Sequence, residues 1–415
     1  AERFNDDTEF SESLKEYFKE DVRFSSVKKL CENDDMQIND ANLSTNLFGK
    51  DMYLSASRLE DFFNCRFRYF CKFGLMAKPR QKAEMDAMRT GTVIHYVLEK
   101  LIGEVGSNRL GKMDDGEIRI VVDKYLRYYL TNEMGSSDDF SARFTYQFLR
   151  LSKMLYSVVS RLAAEFAQSE FEAKAFELNI DKDGDVKPTI ISLESGGTVQ
   201  IRGEVDRVDI LDENGERYVR VVDYKSGNKK FALSDVLYGL NLQMFVYLFT
   251  LCNDKSSEFS GIPAGVLYMH AARSVLSADR NIESDKLINE ENKGFKMKGL
   301  VLYDESHDIL SSMEKDLVGK YIPVKLTKKY GIKGCFASLE ELGRIGKKVE
   351  NLIAEMGNLL QSGNIEQNPI NGKNHDKTCE YCDYSSVCAN RRIVENREMD
   401  DLTDEEVLER LLKEE

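Results

Sequence analysis

Residues 200–227, QIRGEVDRVDILDENGERYVRVVDYKSG, place three carboxylates and a lysine at alternating positions on either side of a tight-turn signal. Asn214-Gly215 between two alternating apolar runs predicts a two-residue type I′ hairpin. Without a bulge, Asp206 faces Asp223, Glu204 faces Lys225, Val208 faces Val221 and Ile210 faces Val219, all on one face of the ribbon. Two aspartates opposed at about 5 Å between Cβ atoms repel each other, so the pair makes chemical sense around a cation. Ligation by carboxylate oxygens favours Mg²⁺ or Mn²⁺ over zinc. Lys225, two residues past Asp223, can then offset charge on a phosphate or orient an attacking water. The same spacing also fits a plain Glu204–Lys225 ion pair beside two exposed aspartates, and one bulge would break the register.

Other elements can bring ligands to this hairpin. In SDVLYGLNLQMFVYLFTLC, an apolar helix expected over about 234–251, Gln243 and Tyr247 share a face one turn apart. In RTGTVIHYVLEKL, His95 sits on a largely apolar helix expected over about 84–104, and neutral imidazole is a good metal ligand. Each has a plainer alternative, a buried hydrogen-bonded pair and a satisfied core histidine. Further helices are expected over 117–131, 141–178 and 338–361, and one from about Ser57, where Ser57 and Glu60 have capping-box spacing. Strands are expected at 198–212, 217–225 and 263–270, with a strand pair near 297–303 and 321–327. The sum is an α/β (α+β) fold, many helices around a small mixed sheet.

The eight cysteines are too few and too scattered for a disulfide scaffold, and three of them cluster. Cys379, Cys382 and Cys388 form a C-x₂-C-x₅-C run that lacks a fourth ligand. His375 completes a local zinc site; Cys65 or Cys71 completes a site that closes a long loop. The remaining cysteines, Cys31, Cys252 and Cys335, read as small packing residues.

A net charge of −14 argues against a polyanionic partner, but the charge is unevenly spread. Residues 1–40 carry twelve acids against six bases, and 400–415 eight against two. In the interior, Cys65–Lys82 carries six bases and no acid among several aromatics, and Lys320–Lys348 eight bases and two acids. Basic residues mixed with aromatics suit a polynucleotide path, or else a solvated helix face.

The order His95, Asp206 in GEVDRVD, Asp223 and Lys225 in VVDYKSG, then Gln243 and Tyr247 in QMFVY resembles the RecB-like branch of the PD-(D/E)XK nuclease superfamily. The resemblance implies a restriction-endonuclease-like core. It implies that His95, Asp206, Asp223 and the backbone carbonyl of Tyr224 bind the divalent ion, that Lys225 assists catalysis, and that Gln243 and Tyr247 support the site. The cysteines, with LSASRLEDFFNCRFRYFCKFGL, are similar to those of AddB-type helicase–nuclease subunits. That likeness, over about residues 50–390, implies a [4Fe–4S] cluster on Cys65, Cys379, Cys382 and Cys388 that fastens the two ends of the nuclease core. Arg66 departs from the proline usual after the first cysteine.

The resulting expectation is a metal-dependent deoxyribonuclease that cuts single-stranded DNA during double-strand-break processing and recombinational repair, with an AddA-type subunit as partner. Residues 1–50 would be an acidic linker from a preceding helicase-like region, 51–390 the nuclease domain and 391–415 an acidic, helical tail. The Ala1 start fits an excised segment. No phosphate-loop motif is visible, since Gly343–Lys348 has the wrong spacing. Neither a signal peptide nor a membrane-length apolar run is seen, which points to the cytoplasm. Two rival readings are a DNA-binding iron–sulfur scaffold with little catalysis and a free-standing four-cysteine RecB-like nuclease.

Overall fold

In a computed structural model of the chain, residues 37–78, 88–132, 142–225, 231–271, 296–306, 308–373, 378–388 and 396–413 are described, with isolated positions at 13, 16–22, 227 and 375. The strands are β1 (Asp51–Ser55), β2 (Glu172–Ile180), β3 (Ile190–Ser192), β4 (Thr198–Glu213), β5 (Glu216–Lys225), β6 (Ile262–His270), β7 (Lys298–Leu302), β8 (Lys325–Thr327), β9 (Gly331–Lys333) and β10 (Phe336–Ala337). The principal helices are α1 (Ala56–Asn64), α2 (Met88–Val105), α3 (Asp115–Asn132), α4 (Ala142–Phe166), α5 (Gln243–Asn253), α6 (Leu339–Gln361) and α7 (Asp404–Lys413). One mixed eight-stranded sheet runs β1-β4-β5-β6-β7-β10, and β2 and β3 also pair with β4.

The hairpin forms in the expected register. Asn214 and Gly215 take φ of 53° and 84°, as a type I′ turn needs. Val208 lies opposite Val221, and Ile210 opposite Val219. The regular β4–β5 ladder begins at Arg207–Val222, so Glu204 does not reach Lys225. Beyond that point β4 turns to new partners: Glu204 pairs with Asn179 of β2, and Thr198–Arg202 run parallel to β1. A sixteen-residue strand thus changes neighbours midway, and the change falls at Asp206.

Three other expectations need correction. The helical pattern over 141–178 ends at Phe166, and Glu172–Ile180 is instead β2, because pairing with β4 overrides the helix-favouring composition of EAKAFEL. The helix expected at 234–251 is two pieces, a 3₁₀ segment over Leu233–Tyr238 and then α5, separated where Gly239 turns left-handed against the Phe63 ring. The strand pair near 297–303 and 321–327 does not form: β7 pairs with β6 and β10, whereas β8 pairs with β9. Ser57 lies inside the first turn of α1, one residue past the helix start, and its hydroxyl is 2.9 Å from that of Ser55. The expected start of α2 near Glu84 and the position of Cys31 lie outside the described residues.

β5, α5 and β6 form a parallel crossover, which lays α5 on the sheet face that carries Asp223. The opposite face buries four charges. Arg207, Asp209 and Arg220 from the sheet and Glu165 from α4 are each at most 2% exposed. Arg207 Nε and Arg220 Nε each lie 2.8 Å from Asp209, and Arg220 Nη2 lies 2.7 Å from Glu165. The guanidinium groups stack on Phe166 and Phe171, and Arg207 donates to the Tyr224 hydroxyl at 3.4 Å. Two positive and two negative charges cancel, so the cluster can persist away from water.

Candidate metal centre

Asp206, at the point where β4 leaves β5, uses its carboxylate in place of the missing ladder bond and accepts the Tyr224 N–H at 2.6 Å. Its side chain meets His95 from α2 and Glu177 from β2. His95 Nδ1 lies 3.2 Å from Glu177 Oε1 and 3.6 Å from Asp206 Oδ2, and the three ligand atoms all fall within 4.8 Å of one another. One imidazole and two carboxylates at this spacing fit a divalent ion.

Glu177 is the member that sequence reasoning missed, because its segment reads as helix. The alternation of Phe176, Leu178 and Ile180 is the signal that could have found it. Glu177 has φ of 46°, a left-handed conformation rare for a strand residue, and such strain tends to persist where a side chain is held for function.

Tyr224 organises the group through its backbone. Its N–H donates to Asp206 and its carbonyl lies 3.0 Å from His95 Nε2, while its ring points the other way toward Arg207. A neutral His95 that donates from Nε2 to this carbonyl presents its Nδ1 lone pair to Glu177 and Asp206.

Asp223 and Lys225, the next outward positions on this face of β5, pair with each other at 2.6 Å, and Asp223 is 3% exposed. Asp223 lies near enough that its charge raises the Asp206 pKa. On α5, Gln243 donates to the Tyr247 hydroxyl at 3.4 Å, and that hydroxyl rests on Gly203 of β4, where any Cβ would overlap it. His95, Asp206, Asp223, Tyr224, Lys225, Gln243 and Tyr247 therefore come together, and Glu177 joins them.

The electrostatics fit a site built for a cation. Burial and then the Asp223 charge push Asp206 up to about 7. Burial pushes His95 down, but the hydrogen bond to Glu177 and the charges of Asp206 and Glu177 outweigh it and hold the imidazole at about 9. Glu204 is also raised, by burial and by Glu177 and Glu99. Both Asp206 and His95 must lose a proton before they can ligate, so Mn²⁺ affinity of the metal-free chain should climb as pH rises through about 7 to about 9, with proton release. Calorimetry in buffers of different ionisation enthalpy measures both, and an affinity flat across that window would contradict the ligand set.

At the other end of the core, Cys71 is buried in a π-turn over Phe70–Gly74. Burial pushes its thiol up to about 11, and the sulfurs of Cys382, Cys388 and Cys65 are its charged neighbours. Cys379 is exposed, one turn ahead of Cys382, whose N–H donates to its carbonyl. The two segments are stitched by Phe67 N–H to Glu366, Arg66 N–H to Asn368 and the Tyr384 hydroxyl to Ala77. Arg66 also reaches Asn364 and Glu366 with its guanidinium, so the departure from proline adds a clasp at this turn. The His375 ring instead faces Asp235, with Nε2 3.4 Å from Oδ1.

A bent sheet bearing D…D-x-K, with a helix histidine before it and a Gln/Tyr helix after it, defines a class. Residues 53–389 match the model of the PD-(D/E)XK nuclease superfamily, and the chain belongs to that family. Within it, the chain is 33% identical over 352 residues to the B-type subunit of the ATP-dependent helicase/deoxyribonuclease of Clostridium botulinum (strain Okra / Type B1), covering 83% of this chain and 30% of the relative. It is 32% identical over 379 residues to the protein of the same name from Clostridium novyi (strain NT), covering 89% and 33%. The corresponding Thermoanaerobacter sp. (strain X514) protein is 32% identical over 358 residues, covering 82% and 30%. The chain thus spans about a third of the length of these relatives. Among the described residues, no helix is long and apolar enough to cross a membrane.

Proposed function

We propose that the chain is the DNA-hydrolysing part of a helicase–nuclease and cuts single-stranded DNA delivered by a motor. The observation that carries this reading is the convergence of His95, Glu177 and Asp206 beside the Asp223–Lys225 pair. His95, Glu177, Asp206 and Asp223 would hold a divalent ion, Mg²⁺ or Mn²⁺, which when bound lowers the pKa of an attacking water and polarises the scissile phosphate. Lys225, freed from Asp223 as that carboxylate turns to the ion, would orient the nucleophile or offset charge on the phosphate oxygens. Tyr224 fixes His95 and Asp206 from the backbone, and Tyr247 with Gln243 buttresses the strand that carries Asp206.

Cys65, Cys379, Cys382 and Cys388 would hold a [4Fe–4S] cluster, a ligand set supported by three of these sulfurs and their shared neighbour Cys71 in one region. Such a cluster would clamp the segment before the sheet to the segment after α6. The name of the relatives supports a partner protein, an AddA-type helicase–nuclease, and a place in double-strand-break repair in the cytoplasm. Anaerobically purified chain should be brown, with broad absorption near the visible blue, and should cleave an end-labelled single strand in Mg²⁺. A colourless protein carrying one zinc ion would overturn the cluster, and an inert one would overturn the nuclease.

A further inference from the structure

The β8–β9 hairpin takes no part in the site and carries an unusual charge for an acidic chain. Residues 315–335 hold six lysines and one acid, Asp316. Lys325, Lys328, Lys329 and Lys333 are exposed, and among the described residues none of them is within ion-pairing distance of a carboxylate. Tyr330 at the turn is 60% exposed, with the ammonium groups of Lys333 and Lys329 at 4.0 and 4.9 Å from its ring centroid. An exposed ring between unpaired ammonium groups suits one base stacked beside its phosphates.

The sheet register connects this hairpin to the metal centre. Asp223 of β5 lies opposite Tyr268 of β6, which lies opposite Lys298 of β7. Two strand spacings of about 4.8 Å put the Lys298 backbone about 10 Å from that of Asp223, at the same end of the sheet. The hairpin's base is sewn to that end, where Met297 N–H donates to the Tyr321 carbonyl at 2.9 Å. Lys296 at the junction is pushed down by burial, and the like charge of Lys325 acts in the same direction. Glu314, the acid nearest this junction, is buried and spends both oxygens on the N–H groups of Lys320, Tyr321 and Ile322.

We infer that the β8–β9 hairpin, continued by Lys296 and Lys298, is a single-strand-binding surface that guides the polynucleotide to the metal centre. This rests on the DNA-hydrolase reading above. The test compares the 415-residue chain with its Lys328→Glu/Lys329→Glu/Tyr330→Ala variant. Binding of a labelled strand of about 20 nucleotides is measured in EDTA across a salt series, and hydrolysis of bis(p-nitrophenyl) phosphate in Mg²⁺. The inference expects binding at least about tenfold weaker and a log–log salt slope shallower by about 1 to 2, with hydrolysis of the small diester unchanged. Lys328→Gln/Lys329→Gln, which keeps the ring and adds no acid, serves should the charge reversal not fold, and expects a loss in the same direction. Unchanged binding in the folded variants would overturn the inference and leave the hairpin as a surface for a protein partner. A parent chain that binds through the hairpin but hydrolyses neither substrate would sustain the binding surface and sink the nuclease reading alone.

Discussion

Replacing Asp223 by Ala should lower Mg²⁺-dependent cleavage of a labelled single strand by about a thousandfold or more, while the urea midpoint stays close to that of the parent chain. Asp223 is almost wholly buried, and it pairs with Lys225, on its own strand. No packing layer depends on it. Its removal takes one negative charge from a crowd that includes Asp206, Glu177 and Glu204, so folding loses one ion pair and sheds repulsion. The Asp206 pKa should fall in the variant for the same reason, because the Asp223 charge holds it up second only to burial. An unaltered fold with cleavage gone identifies a chemical role. Cleavage retained in Asp223→Ala would remove this residue from the mechanism.

The second large effect lies on the opposite face of the sheet. Asp209→Ala should destabilise the chain by about 3–5 kcal/mol, because it leaves Arg207 and Arg220 buried with a single carboxylate, Glu165. Urea denaturation measures it. The control is the joint replacement of Arg207, Arg220, Glu165 and Asp209 by apolar residues of similar volume, which should recover most of the loss, since an intact buried network contributes little beyond a packed core. If Asp209→Ala costs under about 1 kcal/mol, the network is not what anchors this face. The variant should also weaken metal binding, because Arg207 bonds the Tyr224 hydroxyl and the Tyr224 backbone holds both His95 and Asp206.

The hairpin and its register were legible because Asn214-Gly215 is a local signal and the flanking alternation is strong. His95, Asp206, Asp223, Lys225, Gln243 and Tyr247 could be named as a set because their order along the chain is distinctive, although spacing alone left ordinary ion pairs open. Glu177 was hidden because β2 is a strand only by virtue of β4 beside it; its own composition favours helix. The end of the β4–β5 ladder at Arg207 was equally invisible, being set by β1 and β2 from distant parts of the chain. The buried quartet could not be read either. Arg207, Asp209 and Arg220 alternate with apolar residues, as exposed strand residues do, and only α4 with its Glu165 makes that face an interior. Two of the charges in an acidic chain's total are thus structural, and others converge on a cation.

The most direct test is cleavage of an end-labelled single strand by metal-stripped chain before and after Mg²⁺ is added back, with iron content followed in parallel. If His95, Glu177, Asp206 and Asp223 hold the working ion, the stripped chain is inert and Mg²⁺ restores cleavage with no change in iron. Full cleavage without divalent ion, or none at any Mg²⁺ concentration by a folded chain, would contradict it.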